Sequence, residues 1–176
     1  MALLDEELVE YWLNNKGFFC MRGVKSGLGE IDFLCIRPSE NGFEAWQVEV
    51  TVSFRPIGYI GGGSSAKRRS DEEVRAGVSQ WIEKKFTSEK KVARRDEVLP
   101  NVEWNYVLVC AEVRHPIELD YLKEGGVTVV RYKDVIEELV GKASIVNSNA
   151  GNIVEILRYA KKHDLMADDK NGTTEQ

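Results

Sequence analysis

The amino-acid sequence predicts an α/β fold in which a mixed central sheet is flanked by helices. Three observations lead to this prediction: an amphipathic helix near the start, a meander of three strands after it, and two valine-rich strands separated by a short helical segment. Apolar residues at every second position are typical of strands, whereas spacings of three and four are typical of helices. The predicted core order is therefore αβββαβ, followed by further helical and strand segments.

The first helix begins at Asp5, which can cap it, and ends near Gly17, a residue that suits a helix stop. Its apolar residues recur three and four positions apart. Three strands follow, and Asn41-Gly42 favours a reversing turn between the second and the third. The predicted strands cover residues 18–22, 30–37 and 42–53.

A loop over residues 54–70 precedes the second half, where Ser70 and Glu73 form the pattern of a capping box and open a helix. Residues 87–101 are charged and show no apolar period, so they are predicted to form a second loop. Two apolar strands with a short helix between them indicate a crossover that joins parallel strands. These segments are strands 106–110 and 127–130, the crossover helix 119–123, and later helices over 133–140 and 153–160.

Composition predicts an ordinary globular protein, because 43% of the 176 residues are hydrophobic and 30% are charged. We expect one domain over residues 1–166 and a disordered polar tail over 167–176. No apolar run approaches the 18 or so residues of a membrane span, and the start of the chain is acidic where a secretory signal is basic. A cytoplasmic location without membrane association is the expectation.

The cysteines and histidines argue against a zinc site. Cys20, Cys35 and Cys110 lie far apart in apolar segments, which predicts reduced core residues and no disulfide. His115 and His163 have no neighbour at the spacing of metal ligands. Zinc hydrolases and Cys–His nucleophiles are therefore disfavoured.

The formal charge of −5 argues against indiscriminate nucleic-acid binding, which depends mainly on neutralising phosphates. Positive charge is nevertheless concentrated in the middle third of the chain. Taken alone, such runs are better explained as solvated helix ends and loops. The runs are Lys67-Arg68-Arg69 with Arg75, Lys84-Lys85, Lys90-Lys91 and Arg94-Arg95.

Two carboxylates stand on neighbouring predicted strands. Asp32 belongs to the second strand and Glu49 to the third, and pairing of these strands lets the two side chains converge. Polar residues on the wet side of an antiparallel sheet are the simpler explanation for either one alone. A facing Asp–Glu pair is destabilising, however, so the two together need a cation or a proton.

These carboxylates and the order of elements resemble the PD-(D/E)xK nuclease superfamily, which has the restriction-endonuclease-like fold. Within the superfamily the chain loosely resembles archaeal Holliday junction resolvases most, in which a helix glutamate, a serine-glycine turn, an aspartate and a Glu-x-Lys strand follow in order. Residues 29–32, Gly-Glu-Ile-Asp, also resemble the signature of a widespread family on that fold. The resemblance covers residues 5–53 well and the remainder by element order only.

The resemblance implies a Mg²⁺ site, which Mn²⁺ can also fill, formed by Asp32, Glu49 and the backbone carbonyl of Val50. Glu6, with Glu7 as the alternative, matches the helix glutamate that assists the metal. Ser26 matches the serine of the resolvase turn, whose hydroxyl contacts the scissile phosphate. The implied activity is hydrolysis of DNA phosphodiesters by a homodimer, with selectivity for branched or damaged DNA as one option.

One position departs from the motif, because Thr51 stands where the family has a catalytic lysine. That lysine orients the attacking water and stabilises negative charge in the transition state, which threonine cannot do. Three accounts stay open: another cation, Lys67 or Lys25, replaces it; a second metal bound through Glu6 or Gln47 does; or the chain binds without cleaving.

The sequence thus supports a metal-dependent endodeoxyribonuclease, with a catalytically impaired DNA-binding or protein-interaction subunit as the alternative. The predicted catalytic set combines the motif positions with the substitute cation. The predicted nucleic-acid contacts are all basic. The first set is Asp32, Glu49, Thr51, Glu6, Ser26 and Lys67, and the second is Lys25, Lys67, Arg68, Arg69 and Arg75.

Overall fold

A computed structural model describes residues 4–40, 42–62, 68–142 and 148–165 and confirms the α/β class. The predicted disordered tail, residues 167–176, lies outside this part of the chain. A five-stranded mixed open sheet is flanked by helices. The strands are β1 Phe19–Ser26, β2 Gly29–Ser39, β3 Gly42–Thr51, β4 Trp104–Cys110 and β5 Val127–Arg131. The α-helices are α1 Leu4–Asn15, α2 Asp71–Ile82, α3 Glu89–Val98, α4 Ile117–Glu124, α5 Tyr132–Gly141 and α6 Asn149–Lys162.

The strands are arranged in chain order, β1-β2-β3-β4-β5. The first three form an antiparallel meander, and β3, β4 and β5 run parallel to one another. Helix α4 connects the parallel strands β4 and β5, as the sequence predicts for a crossover. Within the described ranges, no helix is long and apolar enough to cross a membrane.

One face of the sheet is covered by α1, α5 and α6, which pack into the larger apolar core. Alternate strand residues point to this face, and the helices contribute one apolar stripe each. The members of this core include Val9, Leu13, Phe33, Val48, Val107, Val135, Leu139 and Val154, all at most 2% exposed.

The opposite face packs against α2 and α4 around a second apolar cluster, which includes Val78, Phe86 and Leu108. Leu108 belongs to this cluster while its neighbour Val107 belongs to the first, as expected for alternation along β4. Helix α2 begins with the predicted capping box: the Ser70 hydroxyl accepts the Glu73 N–H, and the Glu73 carboxylate accepts the Ser70 N–H.

The prediction of a loop over residues 87–101 is wrong. Helix α2 continues through a π-helical turn, Glu83–Thr87, and α3 follows after Ser88. The residues that α3 buries include Lys91 and Arg95, so its inward face carries positive charge where a core helix usually carries apolar side chains. A search for apolar periodicity cannot detect a helix of this kind.

The prediction that all three cysteines are reduced is also wrong. Cys20 and Cys35 are directly opposite each other on β1 and β2 and form a disulfide. Spacing in the sequence did not reveal the pair, since only the strand register makes them neighbours. Cys110 is a free, buried cysteine, as predicted.

Candidate functional site

The two predicted carboxylates lie where β2 and β3 separate. The paired register of the strands ends at Phe33 and Val48. Just beyond this point, the N–H of Val50, two residues after Val48, donates to Oδ2 of Asp32 over 2.7 Å, so a side chain takes the place of a backbone partner. The carboxylates of Asp32 and Glu49 converge, as the sequence predicts, and the negative charge of Asp32 acts on Glu49 to raise its pKa.

The surroundings of both carboxylates raise their pKa values. The side chain of Glu49 is fully buried, and this burial together with the charge of Asp32 raises its pKa to about 7, against the opposing effect of Lys85. Burial also raises the pKa of Asp32, although the Val50 N–H favours its charged form. A buried pair of like charges gains free energy when a cation or a proton joins it.

A cation does reach this pair, from a residue that the sequence reasoning did not select. Nζ of Lys85, in the π-helical turn, lies 2.6 Å from Oε2 of Glu49. Burial acts to lower the pKa of Lys85, but the charge of Glu49 and its hydrogen bond outweigh burial and raise it. Lys85 is therefore protonated at neutral pH.

A signal for Lys85 was present in the sequence. The apolar stripe of α2 runs through Val74, Val78 and Trp81, and Lys85 is the next position at helical spacing. A lysine that continues the inward stripe of a helix is expected to approach the sheet. The π-helical turn extends α2 far enough for Lys85 to do so.

An amide holds this lysine and Glu49 together. Nε2 of Gln47 donates to the carbonyl of Lys85 over 2.7 Å and lies 3.4 Å from Oε1 of Glu49. The other end of the amide, Oε1, accepts a hydrogen bond from Nη1 of Arg95, which also donates to the Phe86 carbonyl over 2.5 Å. Arg95 therefore fixes which way Gln47 faces, and Gln47 ties the π-helical turn to β3.

Helix α3 also contacts the β1–β2 hairpin beside its turn, at Ser26 and Glu30. The ammonium of Lys91 donates to the Glu30 carbonyl, and burial lowers the pKa of Lys91. The hydroxyl of Ser26 donates to the Lys90 carbonyl over 3.1 Å. Ser26 thus links the hairpin to α3 by this hydrogen bond. Its contact with a scissile phosphate stays a prediction.

The remaining predicted catalytic residues lie at different distances from the carboxylates. Glu6, in the first turn of α1, has a raised pKa through partial burial and the charge of Asp32, so it borders the pair. Thr51 is the exposed last residue of β3. Lys25 is exposed on β1, opposite Glu30. Lys67 lies outside the described residues.

The predicted nucleic-acid contacts on α2 lie at its other end from Lys85. Arg75 forms an ion pair with Glu124 over 2.6 Å, and its guanidinium lies 4.2 Å from the centre of the Tyr121 ring. Arg68 is exposed and Arg69 half-buried just before the helix. Arg68 and Arg69 therefore lie at the opposite end of α2 from Lys85, whereas Arg75 lies within the helix.

The oxygen atoms that this site offers are of the type that a hard divalent cation prefers. Among the described residues there is no group of three or more His, Cys, Asp or Glu side chains placed to hold a metal. Asp32 and Glu49 offer two buried carboxylates whose mutual repulsion a cation relieves, and oxygen donors of this type are what Mg²⁺ prefers. In this arrangement Lys85 occupies one oxygen of Glu49.

No protein-family model, curated protein or solved structure was found to match the chain. The comparisons assign no family.

Proposed function

We propose that the chain is a metal-dependent endonuclease that hydrolyses DNA phosphodiester bonds at Asp32, Glu49 and Lys85. The observation that supports this most directly is the ion pair of 2.6 Å between Lys85 and Glu49, next to Asp32. It supplies two carboxylates and a lysine, the three side chains that the PD-(D/E)xK resemblance requires, although the lysine comes from a helix and not from β3.

The order of elements supports a restriction-endonuclease-like core. A helix, an antiparallel meander of three strands, a helical segment and a parallel strand follow one another, and the carboxylates lie on the second and third strands. In this proposal Thr51 needs no catalytic role, since Lys85 performs the task of the motif lysine from the helix that packs on the same face of the sheet as Glu49.

Each residue has a definite task in this proposal. Asp32, Glu49 and the Val50 carbonyl would hold Mg²⁺ or Mn²⁺. The bound ion supplies an activated water and offsets charge on the leaving oxygen. The Val50 N–H orients the Asp32 carboxylate, and Gln47 orients Glu49. Lys85 places a positive charge where the phosphate becomes more negative in the transition state.

Glu49 and Lys85 also explain why the site would be active near neutral pH. The pKa of Glu49 is about 7 beside the Lys85 ammonium, so the carboxylate is half protonated there. A divalent ion must displace a proton or the Lys85 ammonium from Glu49, since metal ligands bind in their deprotonated form. We therefore expect activity to rise with pH between about 6 and 8.

The test is cleavage of supercoiled plasmid and of a synthetic four-way junction in Mg²⁺ or Mn²⁺. Asp32→Asn and Glu49→Gln keep the shape of each side chain and remove its charge. The matched control is Glu44→Gln, which neutralises another acid of β3 that pairs with Arg37 outside the site. We expect nicking to fall by at least about 1,000-fold in the first two variants, since both hold the metal, and to persist in the control.

Two outcomes would contradict the proposal. Equal nicking by wild type and by both site variants would show that the activity lies elsewhere or comes from a contaminant. DNA binding by wild type without any nicking, at every metal concentration, would favour the non-cleaving alternative, in which the Lys85–Glu49 pair is a permanent substitute for the metal.

A further inference from the structure

We propose that a basic cleft at the start of α2 binds a phosphate group of the nucleic-acid backbone, apart from the carboxylate site. The inference rests on the proposed nuclease function and adds a second anchoring point for the substrate. The cleft has a volume of about 490 Å³. Its lining residues include Arg68, Arg69, Arg114, His115, Tyr59 and Asp71.

The cleft is assembled from two segments that are distant in sequence. Tyr59 lies between the guanidinium of Arg69, 4.8 Å from the ring centre, and the ring of His115, which is stacked on it at 3.9 Å and 8°. The Tyr59 hydroxyl accepts the Arg69 N–H over 3.2 Å. These contacts fix the loop before α2 against the segment that links β4 to α4, so Arg69 is positioned before any ligand arrives.

The charges in the cleft are not balanced within the described residues. Neither Arg68 nor Arg114 forms an ion pair there, whereas Arg75, one helical turn into α2, is paired with Glu124. The one acid that lines the cleft, Asp71, accepts a hydrogen bond from the Tyr121 hydroxyl. Nε2 of His115 is shielded from solvent and has no hydrogen-bond partner among the described residues.

An anion with several oxygens matches these groups. Guanidinium groups present planar pairs of N–H donors that fit phosphate oxygens closely. Positive side chains left without carboxylate partners keep their capacity to bind an external anion. A phosphodiester of the DNA backbone has this chemistry, and each such contact adds to affinity by releasing a counterion.

The cleft lies on the same edge of the sheet as the end of the catalytic strand. A neighbouring cavity of about 300 Å³ shares Tyr59 and Arg114 with it and is also lined by Thr51, two residues after Glu49. This edge contains the carboxyl ends of β3 and β4, where open α/β sheets bind their ligands.

The spacing suits one nucleic-acid molecule that contacts both sites. Fifteen residues separate Ser70 from Lys85, and a helix rises 1.5 Å per residue, so the two lie on the order of 20 Å apart. That distance corresponds to roughly six base pairs of duplex at 3.4 Å per step. A substrate that reaches Lys85 can therefore extend to the cleft.

The test uses Arg68→Gln combined with Arg114→Gln, two exposed side chains whose loss leaves the core intact. The matched control, Arg158→Gln with Lys161→Gln, removes two positive charges from α6. Binding of a fluorescent 20-base-pair duplex is measured by anisotropy in EDTA, so that no strand is cut, over a range of salt concentrations. Nicking is measured in parallel with Mg²⁺.

We expect the slope of log K against log salt to become shallower by about 0.9 in the double variant, since the two arginines share one phosphate and each lost phosphate contact removes about 0.9. The control should keep the wild-type slope. If the double variant kept the wild-type slope and affinity while wild type still nicked DNA, the proposed phosphate binding by the cleft would be wrong. The proposed nuclease function would stand. The proposal would also be overturned if inorganic phosphate raised the melting temperature only when both arginines are present and wild type did not bind DNA. The cleft would then bind a small phosphate ligand.

Discussion

The two faces of the central sheet differ in what they bury. The face covered by α1, α5 and α6 is an apolar core of leucine, valine and aromatic side chains. The opposite side carries the buried charges of the described residues together with a buried amide. These side chains are Glu49 and Gln47 on β3, Lys91 and Arg95 on α3, and Glu118 on α4.

This difference indicates that the apolar core stabilises the fold, whereas the buried charges serve the function of the site. A buried charge costs free energy unless a partner compensates it, and even a good ion pair often does no better than apolar packing of the same volume. The buried charges are therefore a poor way to stabilise the fold, and the second apolar cluster supplies the packing on their side of the sheet. The charges are explained by a task at the site, whereas the apolar face needs no explanation beyond packing.

The largest effect on stability is expected from the apolar face. Leu139 of α5 is 2% exposed, and Leu139→Ala leaves a cavity that costs roughly 2–5 kcal/mol. Leu139→Met, which nearly conserves volume, should cost less than about 1.5 kcal/mol. Urea unfolding measures both, and a loss below about 1 kcal/mol for the alanine variant would show that this face is not the main source of stability.

The second prediction concerns the pH dependence of stability on the polar side. Glu49 has a pKa of about 7 in the folded protein against an ordinary value of 4.5, so the folded state binds a proton that the unfolded state releases. Stability should then fall as pH rises from about 5 to about 8, by roughly 3 kcal/mol at most. Asp32, whose pKa is also raised, acts in the same direction.

Urea unfolding in EDTA at pH 5.5 and 8 tests this sign. Glu49→Gln cannot titrate, so its stability should change less than that of wild type over the same interval, and Mg²⁺ should reduce the wild-type loss at pH 8. Identical pH profiles for wild type and Glu49→Gln would contradict the assignment of the raised pKa to Glu49.

The third prediction concerns the disulfide between β1 and β2. Cys20 and Cys35 are 15 residues apart in sequence, and closing a loop of this length stabilises a protein by about 3 kcal/mol in the chain-entropy model, often less in practice. Thiol titration of the unfolded, unreduced protein should find one free thiol, Cys110. Three free thiols, with no change in urea midpoint on adding reductant, would contradict the disulfide.

Much of the fold was predictable from the sequence because local patterns determine it. The first helix, the meander, the capping box at Ser70 and the crossover between the parallel strands all follow from apolar spacing and turn chemistry, and the structure confirms them. Helix α3 was missed because Lys91 and Arg95 occupy its inward face. The disulfide was missed because only the register of β1 and β2 brings its cysteines together.

The candidate site was predictable in part. The convergence of Asp32 and Glu49 follows from strand pairing, and the structure brings the two together. The sequence points to nearby loops for the substitute cation, at Lys25 and Lys67, whereas Lys85 reaches Glu49 from a π-helical turn 36 residues further along the chain. Such a contact depends on how α2 packs on the sheet, which no local pattern specifies.

The most direct test of the central claim is a comparison of nicking rates for Lys85→Met and Lys84→Met. Lys85 pairs with the buried Glu49, while its neighbour Lys84 is exposed on the same turn. We predict a loss of at least about 100-fold for Lys85→Met, in line with removing one charge-stabilising group, and little change for Lys84→Met. Adding Thr51→Lys to Lys85→Met, which places a lysine at the usual motif position, should restore part of the activity. Equal rates for the two methionine variants would contradict a catalytic role for Lys85.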